Sequence, residues 1–319
     1  MNKTSSLFAI ALAASAGAAA QDFPSRPLRI VVPNPAGGTV EIVARAIAQP
    51  MSAALGQPVV VELKPGGENV IGSDAVAKSP ADGYTLLLAG THLTINPLVR
   101  KLPYDGLNAF APVARLAQTP VLFAVHPSVA VKSVQELIAT ARSKPDAFNY
   151  ASSTAGSSIH LAGEMFKSRA GIDMNYIPYQ GGVQATLAVL GGHAQVLVAP
   201  VSDAAPYLAS GRLRPIAVTS LARFDLIPEV PTVAESGFPG FQVLQWFGAV
   251  VPAGTPKPFV ARLGGEMLKS LESQALRGAF GKLGILPAPL DAEAFEAFLR
   301  KETSDYQAII RQARIKAQG

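Results

Sequence analysis

The stretch LRIVVPNPAGGT, residues 28–39, decides the fold that the sequence predicts. Its first five residues are mostly apolar and β-branched, which is typical of a buried strand. Beyond the Pro- and Gly-rich turn, apolar residues recur at three- and four-residue steps from Val40 to Leu55, so the spacing predicts an amphipathic helix that ends at Gly56. A strand that leads through a short loop into a helix is the unit of α/β proteins, and we expect a mainly parallel, helix-covered sheet.

The same alternation of strand and helix continues along the chain. Further β-rich runs lie at residues 59–63, 84–89, 121–125, 149–151, 175–178, 196–199, 215–219 and 247–251, with helical patterns between them. The last third is richer in helix, with candidates at residues 258–271, 274–283 and 291–313. Because no long linker interrupts the pattern, any domain boundary must lie in strands or tight connections.

Length and composition exclude several classes of protein. With 319 residues, of which 49% are hydrophobic and 15% are charged, the chain can bury a large core in one or two domains. It contains no cysteine, so its stability does not depend on disulfides. The formal net charge of +5 does not indicate nucleic-acid binding, because the 27 Lys and Arg residues are scattered without a run of three.

The first twenty residues have the features of a secretory signal peptide. Lys3 is followed by a short apolar segment at residues 7–14 and by the small residues 18–20 before Gln21. The apolar segment is too short to span a membrane, and no cysteine follows that could carry a lipid. We therefore expect cleavage near Ala20 and a freely diffusing periplasmic protein.

Three predicted strands end in loops rich in Gly, Ser and Thr, and each loop leads into a helix. The loops are PNPAGGT at residues 33–39, SSTAGSS at 152–158 and YQGG at 179–182. At the carboxyl edge of an α/β sheet, unpaired helix N-terminal amides form an anion site. None of the loops contains Lys or Arg, so a small carboxylate fits better than a polyphosphate. In the alternative interpretation, the serines only cap helices and the glycines only turn the chain.

The sequence argues against nucleotide, metal and hydrolase sites. It contains neither G-x-x-x-x-G-K-[ST] nor G-x-G-x-x-G, and its four His residues lack metal-ligand spacing. His160 lies two residues after Ser158, but helical side chains two apart do not face each other, and no G-x-S-x-G elbow is present. We therefore predict no cofactor, no metal and no enzymatic activity.

A series of motifs in a fixed order carries a resemblance to a known family. The motifs span about residues 24–315 and read PSRPLRIVVPNPAGG, AKSPADGYTLLLAG, INPLVRKLPYD, FAPVARL, YASSTAGSSIHLAGEMFK, IPYQGG, LRPIAVTS, PEVPTVAESGFPGF and WFGAVVPAGTP. The chain resembles the Bug family of extracytoplasmic solute receptors, which serve tripartite tricarboxylate transporters.

The resemblance implies an α/β periplasmic-binding-protein fold of type II, known as a Venus flytrap. In this fold two α/β domains are joined by two crossing strands, and the ligand lies in the cleft between them. With residues 113–125 and 213–219 as the crossings, domain 1 covers residues 21–121 and 222–319. Domain 2 then covers residues 122–221.

The resemblance also implies which residues hold the ligand carboxylate, through backbone amides and hydroxyl groups. From the first loop it selects Ala36, Gly37, Gly38 and Thr39, and from the second domain it selects Ser153, Thr154, Gly156, Ser157, Ser158, Tyr179, Gly181 and Gly182. It adds Thr91 and His92, which follow the strand at 84–89, and Asp203, which follows the strand at 196–199.

Two places depart from the family pattern. Glu41 stands where the family usually has Asp, and its carboxylate either suits the start of a helix or reaches the cleft, where it selects against compact dicarboxylates. Glu68 and Asn69 replace small residues, and they lie either at the rim of the cleft or in a solvated loop.

These expectations combine into one prediction of function. We expect a monomeric, non-enzymatic receptor that captures a small organic carboxylate and delivers it to membrane transporter subunits. Two alternatives stay open: a periplasmic sensor that presents its closed form to a signalling kinase, and an enzyme, such as a hydrolase, with the cleft as its active site.

Overall fold

The computed structural model describes residues 23–144 and 148–312, and the signal peptide predicted at residues 1–20 lies outside them. The strands are β1 (Leu28–Val32), β2 (Val59–Leu63), β3 (Thr85–Ala89), β4 (Phe110–Val125), β5 (Asn149–Ser152), β6 (Asn175–Pro178), β7 (Val196–Pro200), β8 (Arg214–Val218), β9 (Leu244–Pro252) and β10 (Leu286–Leu290). The α-helices are α1 (Thr39–Leu55), α2 (Val70–Ala77), α3 (His92–Val99), α4 (Val134–Ser143), α5 (Ser158–Ala170), α6 (Gly182–Leu190), α7 (Val201–Leu208), α8 (Lys257–Ser270), α9 (Gln274–Lys282) and α10 (Ala292–Gln312).

The strands form one mixed sheet in the order β2-β1-β3-β9-β4-β7-β5-β6, with β8 and β10 paired to β4. Strands β2, β1 and β3 are parallel at one end, and β7, β5 and β6 are parallel at the other. Between them β4 and β9 run antiparallel to their neighbours. The α/β prediction is confirmed. The expectation of a mainly parallel sheet is wrong, because two antiparallel strands join the two parallel groups.

Strand β4 belongs to both groups of strands. Residues 110–120 pair with β9, whereas Val121–Val125 pairs with β7 and β8. This strand covers the crossing expected at residues 113–125. The other expected crossing, at residues 213–219, corresponds to β8, which pairs with the second half of β4.

The chain returns from β8 to β9 through residues 219–243. Phe224 packs with the apolar residues around β7, and Phe241 and Val243 pack with the cluster that contains Phe123 and Phe166. This packing favours a return to the first domain near residue 243 rather than at residue 222. The division of the chain into domains stays a prediction.

Helix α1 shows how the sequence fixes the position of the first loop. Its predicted apolar stripe is buried, with Val43, Ile47 and Met51 at 0% exposure in the cluster beneath β1. Burial of each such side chain contributes about 1.5–3 kcal/mol. Gly56 ends the helix with a left-handed φ of 65°. The N-terminus of α1 is thereby held beside the loop that follows β1.

Helices α5 and α6 begin in the same way after β5 and β6, which are parallel to each other. Parallel strands bring the loops after their carboxyl ends to one edge of a sheet. Two of the three predicted loops therefore lie side by side, opposite the loop before α1. Across residues 23–144 and 148–312, we find no helix with the length and apolar character needed to span a membrane.

Candidate functional site

A cavity of about 540 Å³ lies where these loops meet. Most of the residues predicted to bind ligand line it: Ala36, Gly38, Thr39, Thr91, His92, Ser153, Thr154, Ser157, Ser158, Gly181, Gly182 and Asp203. The loop at residues 65–69 lines it too, so Glu68 and Asn69 lie at the cavity rather than in a remote solvated loop. The arrangement brings the two halves of the chain to one pocket.

Glu41 lies outside the lining. Its Oε2 accepts a 2.8 Å hydrogen bond from the Gly37 amide, and its Oε1 accepts a 2.7 Å bond from Arg45 Nε. The Gly37 amide and then Arg45 hold the pKa of Glu41 below its usual range. Its carboxylate thus serves the start of α1 in this structure, and contact of Glu41 with a ligand stays a prediction. Gly37, whose amide is taken up by Glu41, is likewise absent from the lining of the described cavity.

Gly156 and Tyr179 also fall outside the described cavity lining. The Gly156 amide donates to His160 Nδ1 at 3.1 Å, and the φ of 79° at Gly156 favours glycine. Tyr179 packs against the apolar cluster around β7. These two residues therefore shape their loops, and nothing in their contacts directs them to a ligand.

The cavity is surrounded by the N-termini of α1, α5 and α6. The first amides of a helix have no partners within it and carry the positive end of its dipole. In α5, Ser157 Oγ caps the amide of His160 at 3.2 Å, whereas Ser158 and Ile159, whose amides have no partner within the helix, line the cavity. This geometry suits a carboxylate ligand without any lysine or arginine.

Three hydroxyl contacts join the two sides of the cavity. Thr39 Oγ1 lies 2.7 Å from Asp203 Oδ1 and 2.6 Å from Ser202 Oγ, and Thr91 Oγ1 lies 2.7 Å from Ser158 Oγ. Since a carboxylate only accepts hydrogen bonds, the Thr39 hydroxyl donates a hydrogen bond to Asp203 and accepts one from Ser202. Direct hydrogen bonds thus join the two sides of the cleft in this structure, as we expect of a closed form.

Asp203 fills the space between the N-termini of α1 and α6. Its Oδ1 accepts a bond from the hydroxyl of Thr39, and a Cβ on Gly182 would collide with its Oδ2. Burial raises the pKa of Asp203 to about 6, although the hydroxyl and the backbone of Thr39 oppose the rise. A protein carboxylate thus occupies these two helix N-termini.

The opposite wall contains two side chains that sequence reasoning missed, beside the predicted His92. Asn34 and Gln245 border the cavity, and Asn34 Oδ1 and Gln245 Oε1 are buried with no hydrogen-bond partner in the described chain. His92 Nε2 is unpartnered in the same way, and burial lowers the pKa of His92 to about 4, so its imidazole is neutral. These atoms are suited to accept or exchange hydrogen bonds with a polar group of a ligand.

Ser158 and His160 do not form a nucleophile and base pair among the described residues. Ser158 Oγ contacts Thr91, while the His160 ring accepts from Gly156 and packs on Tyr176 with centroids 4.3 Å apart. His160 lies in the first turn of α5 and accepts a hydrogen bond from the loop before it.

Comparison with known proteins agrees with this geometry. The family profile described as tripartite tricarboxylate transporter family receptor (TctC) matches residues 43–315. The Bordetella pertussis protein BugT is 34% identical over 99% of both chains. The solved structure of R. palustris Rpa4515 with adipate is 31% identical, with a TM-score of 0.88, and covers 92% of this chain and 99% of its own.

A second solved structure, MatC from Rhodopseudomonas palustris with bound malate, is 28% identical with a TM-score of 0.82. It covers 90% of this chain and 100% of its own. These similarities confirm the predicted fold of the type II binding proteins. The family and its solved members are binding receptors rather than enzymes. The chain belongs to the family of tripartite tricarboxylate transporter receptors, to which the Bug proteins also belong.

Proposed function

We propose that this protein is a periplasmic receptor that closes around a small organic carboxylate and presents it to the membrane subunits of a tripartite transporter. The observation that carries the proposal is the cavity between the loops after β1, β5 and β6, surrounded by helix N-termini. Relatives with adipate and malate support a carboxylate as the ligand class. We further propose that the receptor works as a monomer and catalyses no reaction.

The ligand carboxylate binds at the N-terminus of α5. Ser158 and Ile159 offer backbone amides there, and the hydroxyls of Ser153 and Thr154 stand in the preceding loop. The N-termini of α1 and α6 already face the carboxylate of Asp203, which would repel a second anion. The ligand therefore lies with its anionic end at α5 and its remote end toward Asn34, His92 and Gln245.

Closure couples binding to recognition by the transporter. The contacts Thr39–Asp203 and Thr91–Ser158 form only when the two sides of the cleft approach each other. A ligand that touches both sides stabilises the closed form through its differential contacts. The membrane subunits can then distinguish the loaded receptor from the empty one by its shape.

A thermal-shift screen of the mature protein tests this function. The panel holds aliphatic, aromatic and amino-acid carboxylates, each beside its uncharged amide. A ligand at about 100 times its dissociation constant adds roughly 2.7 kcal/mol to the free energy of unfolding. We expect stabilisation by some carboxylates and none by their amides. A panel in which no carboxylate stabilises the protein would contradict the proposal.

A further inference from the structure

The side chains that line the cavity carry negative charge and no positive charge. Asp203 and Glu68 are in the lining, whereas no Lys or Arg of the described chain is. A buried carboxylate of a ligand needs a cation or several amide donors to offset its lost hydration. One ligand carboxylate finds such donors at α5, and a second needs a cation near the remote end.

Arg100 supplies a guanidinium that reaches the cavity wall through Glu68, but its charge is already matched. Arg100 Nη1 forms an ion pair with the Glu68 carboxylate, and the two side chains are 13% and 26% exposed. Arg100 Nη2 donates to the carbonyl of Ala155 at 3.1 Å, within the loop before α5. Glu68 therefore stands between the cavity and the cation that a second ligand carboxylate would seek.

The backbone around Glu68 is held in an unusual shape to place this carboxylate. Glu68 and Asn69 have φ angles of 55° and 75°, in the left-handed region that favours glycine. Asn96 Nδ2 donates to the Glu68 carbonyl at 3.0 Å, and Ser73 Oγ donates to the Asn69 carbonyl at 2.8 Å. Such local strain persists where the surroundings hold it, and it is concentrated at ligand-binding segments.

We propose that Glu68 determines the specificity of the cavity. Its carboxylate occupies the place beside Arg100 that the second carboxylate of a dicarboxylate ligand would otherwise take. By pairing with Arg100 it restricts the cavity to ligands that carry one carboxylate and an uncharged remote end. The buried acceptors of Asn34 and Gln245 match a remote hydroxyl or amide donor. This inference rests on the proposed function and narrows its ligand class.

Calorimetric titration with matched acids tests the inference. The probes are straight-chain monocarboxylates and α,ω-dicarboxylates of four, six and eight carbons. The variants are Glu68→Gln and Glu68→Gly, of which the second suits the left-handed φ and so guards against misfolding. Glu62→Gln is the matched control, because Glu62 pairs with Arg29 at 3.1 Å on β2 and does not line the cavity in the described chain.

We expect wild type to bind a monocarboxylate at least about tenfold more tightly than the dicarboxylate of equal length. Either Glu68 variant should raise the affinity for that dicarboxylate about 10- to 100-fold and so remove most of the preference for the monocarboxylate. Glu62→Gln should behave as wild type. Adding Arg100→Gln to Glu68→Gly should abolish the gain, because the freed guanidinium is then missing.

Three results would overturn the inference. They are equal affinity of wild type for both acid classes, an unchanged dicarboxylate affinity in both Glu68 variants, and binding of no monocarboxylate of the series. The receptor function fails separately, if the wider screen of aliphatic, aromatic and amino-acid carboxylates also finds no ligand.

Discussion

Thr39 Oγ1 donates a 2.7 Å hydrogen bond to Asp203 Oδ1, and this bond ties the start of α1 to α7 on the other side of the cleft. Ser202, the neighbour of Asp203, adds its own bond to the same Thr39 hydroxyl. One threonine is thus the meeting point of both halves of the binding site. The stability of the closed form depends on it directly.

Thr39→Val should destabilise the closed form. The substitution removes the hydroxyl donor and leaves a buried carboxylate short of one hydrogen bond, at a cost of about 1–3 kcal/mol. Chemical denaturation should show a lower free energy of unfolding, and carboxylate affinity should fall. The control is Thr303→Val, because that hydroxyl bonds to Leu299 O of its own helix at 2.8 Å. Equal stability of the Thr39 variant and wild type would contradict a closing role.

Asp203 should make stability depend on pH. Its carboxyl pKa is about 6 in the folded protein against 3.8 for the free group, because burial disfavours the charged form. The folded state therefore holds the proton more tightly than the unfolded state, and stability falls as pH rises from about 4 to 6. Over this range the free energy of unfolding should fall by about 3 kcal/mol at most.

The variant Asp203→Asn isolates this effect. It keeps an oxygen that accepts from Thr39 but has no titrating group, so its unfolding free energy should lose the decline between about pH 4 and 6. Asp225→Asn, at an exposed position, should retain the wild-type profile. Parallel pH profiles for wild type and Asp203→Asn would show that Asp203 is not buried as described.

Trp246 reports on a second buried carboxyl group. Its indole Nε1 donates to Glu302 Oε2 at 2.6 Å, and Thr94 Oγ1 donates to the same oxygen at 2.8 Å. Burial raises the pKa of Glu302 to about 7. Because the chain has one tryptophan, its fluorescence should titrate with a midpoint near pH 7, and Glu302→Gln should remove the transition. An unchanged titration in that variant would assign the signal to another group.

Gly182→Ala should impair ligand binding through the closed state. An added Cβ would collide with Asp203 Oδ2 and lie 2.8 Å from Pro200 Cδ, so α6 and α7 cannot keep their spacing. We expect carboxylate affinity to fall by at least about tenfold. The matched control is Gly265→Ala on α8, where a Cβ meets open space and the helix should gain about 0.5–1 kcal/mol. Wild-type carboxylate affinity in Gly182→Ala would contradict a role in binding for the close packing of Gly182 against Asp203 and Pro200.

The sequence predicted those parts of the site whose structure depends on the local pattern of residues. The stripe from Val40 to Leu55 and the loops before α1, α5 and α6 depend on neighbours in the chain, so spacing and turn residues were sufficient. Glu41 left two outcomes open, and the orientation of its side chain was decided by Gly37 and Arg45. Tyr179 was expected at the ligand, but its ring is drawn into apolar packing, which a loop motif does not encode.

The position of Gln245 on the opposite wall could not be predicted from local pattern. Gln245 lies beside Gly90 because β9 pairs antiparallel with β3, and no residue near either position in the chain records that pairing. Arg100 and Glu68 are likewise joined by tertiary structure. The only signal in the sequence was that Glu68 stands where the family has a small residue. This residue, which differs from the family pattern, lines the cavity.

A crystal structure of the protein with the carboxylate that stabilises it most in the thermal-shift screen tests the central claim most directly. The account predicts that the ligand carboxylate lies within hydrogen-bond distance of the Ser158 and Ile159 amides, with the Thr39–Asp203 bond intact and Glu68 still paired with Arg100. A carboxylate bound outside the cleft, or one that displaces Asp203 from Thr39, would contradict the account.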